Sequence, residues 1–251
     1  MPRIKLTIAY DGTDYSGWQV QSNAQSIQTL VQRALETVVR HPIGLTGAGR
    51  TDAGVHAEGQ TAHFDTDTMI DLSRLRYSAN ALLPSDIRIL DAQVVAPEFH
   101  ARYSAEGKVY HYHLHLARES NPMTRLYRTP ILGAFDFKSF EKAASYFLGT
   151  HDFAAFANQA HKGAASRGSI RTLRRLDIVE QSGGLRLEFE GDGFLYKMVR
   201  NIVGTLLETA KGKRDPEEIL QLFIEKNRKK AGPTAPPQGL FLMKVLYLSH
   251  E

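Results

Sequence analysis

A pattern of strand and helix periods runs through the chain twice, and it limits the possible folds more than any other feature. Residues 3–10 alternate, with Ile4, Leu6, Ile8 and Tyr10 on one face and Arg3, Lys5 and Thr7 on the other, the period of a half-buried strand. After the turn-rich stretch 11–17, Ile27, Leu30, Val31, Ala34, Leu35, Val38 and Val39 recur at helical spacing behind Ser26, a residue suited to cap them. Strand signals near Leu45 and over 60–64 flank a glycine-rich turn. A helix around 72–82 and a strand over 87–95 complete a β-α-β-β-α-β order.

The second half looks similar. Residues 109–116 alternate Tyr110, Tyr112, Leu114 and Leu116 against His111, His113 and His115. A helix follows, with Phe137, Phe140, Ala144, Phe147 and Leu148 on one face and Gly149 just past its end. Strands over 174–179 and 185–189 join through Ser182-Gly183-Gly184, a hairpin signal. Met198, Ile202, Leu206 and Ala210 mark another helix. Asp215-Pro216-Glu217-Glu218 opens the next, with Asp215 as cap and Glu218 reaching back. A closing strand spans 240–248. The repeat is one of pattern and not of residues. It predicts an α+β fold of two halves, 1–105 and 106–251, each an antiparallel sheet with helices on one side.

The 251 residues contain no cysteine, which excludes disulfide frameworks, iron–sulfur clusters, cysteine-bound zinc and thiol nucleophiles together. No apolar run reaches the length of a bilayer span, and Met1-Pro2-Arg3-Ile4-Lys5 leads into a strand pattern and not a signal-peptide core, so a cytoplasmic protein is expected. Thirty-one Lys and Arg against 27 Asp and Glu give a net charge of +4. That balance permits a polyanionic partner, and its distribution is more informative than its total. Between Asp152 and Asp177 there is no acid, but Lys162, Arg167, Arg171, Arg174 and Arg175 all occur there among glycines and serines. Such a segment suits phosphate contacts, because guanidinium groups bridge phosphate oxygens. A second cluster, Lys226, Arg228, Lys229 and Lys230, reads as a solvated helix end, where cations are favoured by the helix dipole.

Three segments could carry chemistry. Gly47-Ala48-Gly49-Arg50-Thr51-Asp52-Ala53-Gly54-Val55-His56-Ala57 holds three glycines in eight residues, with one carboxylate between Arg50 and His56. It lacks the Gly-Lys-Ser/Thr ending of a P-loop and the glycine spacing of a dinucleotide site. Asp52 is either a local turn cap or a functional carboxylate. Arg50, two residues away, favours the second, because a nearby cation keeps a carboxylate ionised. His111, His113 and His115 share one strand face and read as polar surface positions at least as well as metal ligands. Lys197 and Arg200, three apart among Met198, Val199, Ile202 and Val203, are costly to bury unless they snorkel or meet an anion, and Asp52 is the candidate anion.

These segments together resemble the tRNA pseudouridine synthase A family along essentially the whole chain. The likeness runs through Tyr10-Asp11-Gly12-Thr13, Gly17-Trp18-Gln19, Gly49-Arg50-Thr51-Asp52-Ala53-Gly54-Val55-His56, Phe99-His100-Ala101-Arg102-Tyr103-Ser104-Ala105 and Tyr110-His111-Tyr112. It continues through Arg171-Thr172, Met198-Val199-Arg200-Asn201-Ile202-Val203-Gly204 and Gly239-Leu240-Phe241-Leu242. The glycine block is the most specific of these. The resemblance implies two RRM- or ferredoxin-like halves with an active-site cleft between them. It implies an isomerase that converts uridines 38, 39 and 40 of the tRNA anticodon stem-loop to pseudouridine with no metal or organic cofactor. By the same resemblance Asp52 is essential, with Arg50 beside it; Arg200 pairs with the aspartate and Tyr110 stacks on the target uracil. Leu240 joins Tyr110, Arg167 and Arg171 among the substrate-binding residues. Family members are homodimers that hold tRNA across both subunits in basic clefts.

The residue types fit that reaction. It breaks the N1–C1′ bond, turns the uracil and rejoins it through C5. An ionised carboxylate near the ribose can attack C1′ or remove the 2′ proton, and both routes stay open. A glycosidase would need a second convergent carboxylate, because water enters its product. A non-catalytic RRM protein would show a Gly-Phe-Gly-Phe-like strand, and none occurs. Reaching the sugar requires flipping the nucleotide, and a tyrosine face can replace the lost stacking.

Overall fold

The computed structural model describes residues 1–21, 24–67, 69, 71–116, 119, 121–158 and 168–248. The first stretch runs β1 (Arg3–Tyr10), α1 (Ile27–Val39), β2 (Thr46–Gly47), β3 (His56–Asp65), α2 (Leu72–Leu82) and β4 (Ile87–Val95). Then come β5 (Ala105–His115), β6 (Thr129–Pro130), α3 (Phe137–Ser145), β7 (Gly149–Asp152), β8 (Ile170–Gln181) and β9 (Gly184–Gly191). The chain closes with α4 (Met198–Ala210), α5 (Glu218–Glu225) and β10 (Leu240–Tyr247). The architecture is mixed α/β, and it divides into two compact units, Met1–Glu106 with Phe241–Glu251, and Gly107–Leu240.

In the first unit the alternation of β1 buries Ile4, Leu6, Ile8 and Tyr10 as its period requires. Ser26 caps α1 by accepting the Thr29 N–H at 3.3 Å, and Asp71 does the same for α2 through Arg74. The strand order is β4-β1-β3-β10. β1 is antiparallel to both neighbours, with Ile4 opposite Phe64 and Val94. The outer edge of β3 is shared: Phe241 and Leu242 of β10 pair in parallel with His56 and Ala57, and β2 pairs with His63 and Ala62. Helices α1 and α2 pack on one another, and α2 packs on β4.

Two expectations change here. β3 begins at His56 and not Gln60, because His56-Ala57-Glu58-Gly59 has no apolar alternation to announce it. Gly59 is where β10 comes close; a Cβ there would lie 2.2 Å from the Met243 carbonyl oxygen. The closing strand, expected with the second half, lies from Phe241 onward in the first unit.

In the second unit the order is β5-β9-β8-β7, all antiparallel, with β6 parallel to β5 through Leu114 and Thr129. β8 and β9 form the expected hairpin, turned by Ser182 and a positive-φ Gly183. The core gathers Phe140, Phe147, Phe153, Phe156, Leu187, Phe189, Ile202 and Leu206. Glu218 accepts the Asp215 N–H at 3.1 Å as expected, but α5 begins only at Glu218, with Glu217 in the cap position and no side-chain cap bond, so Asp215 is not its cap. α3 stops at Ser145, short of the expected 148, and Gly149 (φ +99) opens β7. Gly-Thr-His-Asp carries no strand period, so that edge strand is silent in the sequence.

Candidate active site

Asp52 sits on the connection from β2 to β3. Its main-chain carbonyl accepts the Val55 N–H at 3.1 Å, and Gly54 (φ +75) fills the positive-φ third position of the turn so closed. The turn is therefore closed by the backbone. The loop rests on the stretch 11–18. Thr51 O accepts the Trp18 N–H at 3.2 Å, Gly54 N–H donates to Tyr15 O at 3.4 Å, and the Tyr10 and Thr51 hydroxyls bond at 2.8 Å. Gly17 (φ +91) lies against it so closely that a Cβ would meet Thr51 O at 2.3 Å and the Asp52 carbonyl carbon at 3.0 Å. On the other flank, fully buried Gln60 donates to Gly49 O at 3.1 Å and the Ala48 N–H donates to Thr61 O at 2.8 Å. Asp52 is half-buried and Arg50 exposed.

His56 leaves this loop into β3, buried and stacked on Phe241 at 4.5 Å. Its Nδ1 lies 3.1 Å from both Gly12 N and Asp11 Oδ1. The neutral ring accepts from the first, and a protonated ring would donate to the second. Either way the imidazole ties the Asp11–Gly12 corner to the strand that follows Asp52.

The other expected residues lie in the second unit. Tyr110, opposite Phe189 in the β5–β9 ladder, is 7% exposed and meets Phe194 edge-on at 5.0 Å. Arg200 stands in the first turn of α4, half-buried. Its Nε donates to Ala235 O at 2.8 Å and its carbonyl accepts the Ala235 N–H at 3.0 Å. Leu240 is buried just past a 3-10 turn over Pro237–Gly239. Beside it the buried Tyr112 hydroxyl donates to Pro236 O at 2.8 Å and bonds Thr129, and burial raises that phenol's pKa.

Several charged residues differ from their sequence reading. Arg167 and Lys162 lie outside the described residues. Arg171 is on a strand and not a loop; half-buried in β8, it donates to Gly168 O and Ile170 O. The strand forms because Leu173 and Leu176 turn inward and the edge of Ile170–Leu173 is taken by β7. Lys197 is not on the face of α4; it precedes the helix with φ +61 and places Nζ 5.2 Å above the Tyr196 ring. The cluster after α5 is not simply solvated. Lys226 pairs with Asp152 at 2.7 Å, Lys230 with Glu225 at 2.8 Å, and Arg228 turns inward to Asn201. In the histidine row, His113 Nδ1 lies 3.1 Å from Gln181 Oε1 and His111 Nε2 3.8 Å from Glu188. Burial lowers both rings' pKa, that of His113 to about 4.

Two residues of this unit have a structural role that the sequence reading did not give them. Asn201 is fully buried with both amide hydrogens and both oxygen lone pairs engaged, and Arg228 is its partner. A buried asparagine between an arginine and an isoleucine looks like any helix position until the fold closes around it.

A family profile described as tRNA pseudouridine synthase matches residues 6–104 and 143–248. The chain belongs to the tRNA pseudouridine synthase family. As a tRNA pseudouridine synthase it is an isomerase, and it converts uridine in tRNA to pseudouridine. It is 58% identical to tRNA pseudouridine synthase A 1 of Protochlamydia amoebophila over 97% of this chain and 95% of that one. It is 46% identical to tRNA pseudouridine synthase A of Chlamydia muridarum over 98% and 92%. The same named protein of Acetivibrio thermocellus is 44% identical over 98% of this chain and 100% of its own. The profile match includes Arg50, Asp52, Arg171, Arg200 and Leu240, whereas Tyr110 falls in the interval it skips. No helix among the described residues is long and apolar enough to cross a membrane.

Proposed function

We propose that this synthase isomerises uridines 38, 39 and 40 of the tRNA anticodon stem-loop, with Asp52 as the reacting carboxylate. The observation that carries the reading is the presentation of Asp52: a half-buried acid on a turn held by backbone contacts on both flanks. A group that must meet C1′ or the 2′ proton within contact distance gains from a support that does not yield, because small displacements cost rate steeply. Arg200 supplies the counter-charge to Asp52, Arg50 adds positive charge beside it, and Tyr110 offers its ring to the flipped uracil. Leu240 lines the base pocket, and Arg167 and Arg171 hold phosphates.

In this reading the N1–C1′ bond breaks, uracil turns within the site, C5 bonds to C1′, the C5 proton leaves and N1 gains a proton in exchange. No atom is gained or lost overall, so the chain's own acid, cation and aromatic ring suffice for binding, charge and orientation. We infer RRM-like halves from the β4-β1-β3 order with two helices in the first unit, a homodimer as the working form, and the cytoplasm as the place where tRNA is met.

The deciding experiment is Asp52→Asn. The amide keeps the size of the acid, and the turn is closed by the main chain, so melting should change little. Tritium release from tRNA labelled at uracil C5 should fall to background while tRNA binding persists, since phosphate contacts lie elsewhere. Wild-type release by this variant would remove the assignment.

A further inference from the structure

The stretch 231–236 lies flush on α4, and its attachment is unusually complete. A Cβ on Gly204 would sit 1.6 Å from Pro233 O, and one on Gly232 2.6 Å from Thr205 Cα, so strap and helix touch backbone to backbone. The Gly232 N–H donates to Thr205 Oγ1 at 3.0 Å, and that hydroxyl donates on to Asn201 O at 2.8 Å. Arg228 fastens the strap from the other side. Its Nη1 donates to Ala231 O at 3.3 Å and Gly232 O at 2.9 Å, its Nη2 to Asn201 Oδ1 at 2.8 Å and Thr234 Oγ1 at 3.1 Å, and its Nε to Asn158 Oδ1 at 3.4 Å. Five donors meet five neutral acceptors, the full capacity of a guanidinium. Thr234 completes the ring by donating to Asn201 Oδ1 at 2.7 Å.

One residue further along, the strap makes its two bonds with Arg200. Ala235 O accepts from Arg200 Nε and the Ala235 N–H donates to the Arg200 carbonyl. A guanidinium is planar, so a bond at Nε fixes the plane in which its two terminal nitrogens can grip an anion. Moving Ala235 would rotate that plane. We propose that Arg228 and Thr234 are positioning residues that set the Arg200 guanidinium through the 231–236 strap. The inference rests on the reading of Arg200 as counter-charge to the reacting carboxylate.

The near-isosteric pair Thr234→Val and Thr234→Ser tests it, with Arg228→Lys beside them, which keeps the charge but not the fork. Each variant is assayed for single-turnover tritium release at saturating enzyme, for tRNA Kd, and for melting temperature. Thr234→Val should slow the single-turnover rate about ten-fold and Arg228→Lys about ten- to a hundred-fold, the scale expected for a displaced catalytic group. Kd should stay within two-fold in both, and Thr234→Ser should restore most of the rate. A wild-type rate in Thr234→Val, equal slowing in Val and Ser, or a rate loss that only tracks lost folding and binding would each overturn the proposal. Arg200→Gln, which removes the charge, separates it from its premise. A wild-type rate in Arg200→Gln refutes the counter-charge reading itself, and a slow Arg200→Gln beside a fast Thr234→Val refutes only the positioning role.

Discussion

Gly17→Ala is a perturbation remote in sequence from Asp52 yet aimed at its support. At φ +91 an L-residue carries a backbone cost of about 1–2 kcal/mol. The added methyl would lie 2.3 Å from Thr51 O, which is backbone and can give only by moving the loop, and such overpacking costs about 1–3 kcal/mol. The sum, about 2–5 kcal/mol, should lower the melting temperature by roughly 4–20 °C at the 2–4 °C per kcal/mol typical of chains this size. The group that yields is the Thr51–Asp52 peptide. Turnover measured well below the transition should therefore fall by about a hundred-fold, the loss expected from a shift near 1 Å. Gly44→Ala is the control, with nothing within 4 Å of the new methyl, and it should melt at or slightly above wild type. The assay pairs circular-dichroism melts with tritium release from C5-labelled tRNA. If Gly17→Ala melts with wild type and turns over normally, the loop is not braced as the geometry implies. If it is destabilised but fully active when folded, the brace supports stability alone.

Three further outcomes are expected. Tyr110→Phe should keep most activity because the ring and its edge contact with Phe194 survive, whereas Tyr110→Ala should lose a stacking platform worth about 1–3 kcal/mol per base; equal inactivity of a well-folded Phe variant would shift the weight to the hydroxyl and to proton transfer at C5. Arg171→Ala should weaken binding of every tRNA alike and flatten the salt dependence by roughly one counterion, and an unchanged slope of log Kd against log salt would make it a structural arginine of β8. Burial, followed by the charges of His100 and Arg3, lowers the His63 pKa from 6.5 to about 4, so the fold selects the neutral ring, whose Nδ1 accepts the Ala101 N–H at 3.1 Å. That contribution is present above the unfolded pKa and is lost as pH falls from 6.5 toward 4. His63→Asn can still accept the N–H but does not titrate, so urea melts across that window should show a shallower acid limb than wild type; an equal slope counts against His63 as its cause.

The sequence showed most clearly the elements whose period and ends agree. β1, α1 with its Ser26 cap, α2 and β4 all lie where alternation and capping chemistry put them. What escaped had no period to read. β7 is a glycine and three polar residues at a sheet edge, β2 and β6 are two residues each, and the first half of β3 has no apolar alternation and pairs with β10, which no local pattern announces. The glycine block around Asp52 was visible as unusual, but its support was not. Asp11–Gly17 looked like an ordinary turn, and only the fold shows Gly17 and the Tyr10 hydroxyl beneath Thr51. Charge runs misled for a related reason. Sequence counts cations without their partners, so Arg228, inward and saturated by neutral oxygens, looked the same as the ion-paired Lys226 and Lys230 beside it.

The shared edge of β3 also sets a timetable. Phe241 pairs with His56 about 185 residues after it is made, and at roughly 5–20 residues per second of synthesis that is an interval of about 10–40 s. During that time β2 can occupy the His63 end of the edge, but the His56 end, next to the loop of Asp52, waits with its backbone groups unpaired. An open strand edge is a template for pairing with other chains, so the nascent first unit is most vulnerable to aggregation at the very strand that leads out of the Asp52 loop. The second unit, whose ladder from β5 to β9 is local by comparison, can finish folding first. Loss of the final strand would therefore be felt at the opposite end of the chain, as a slow-folding, aggregation-prone N-terminal unit.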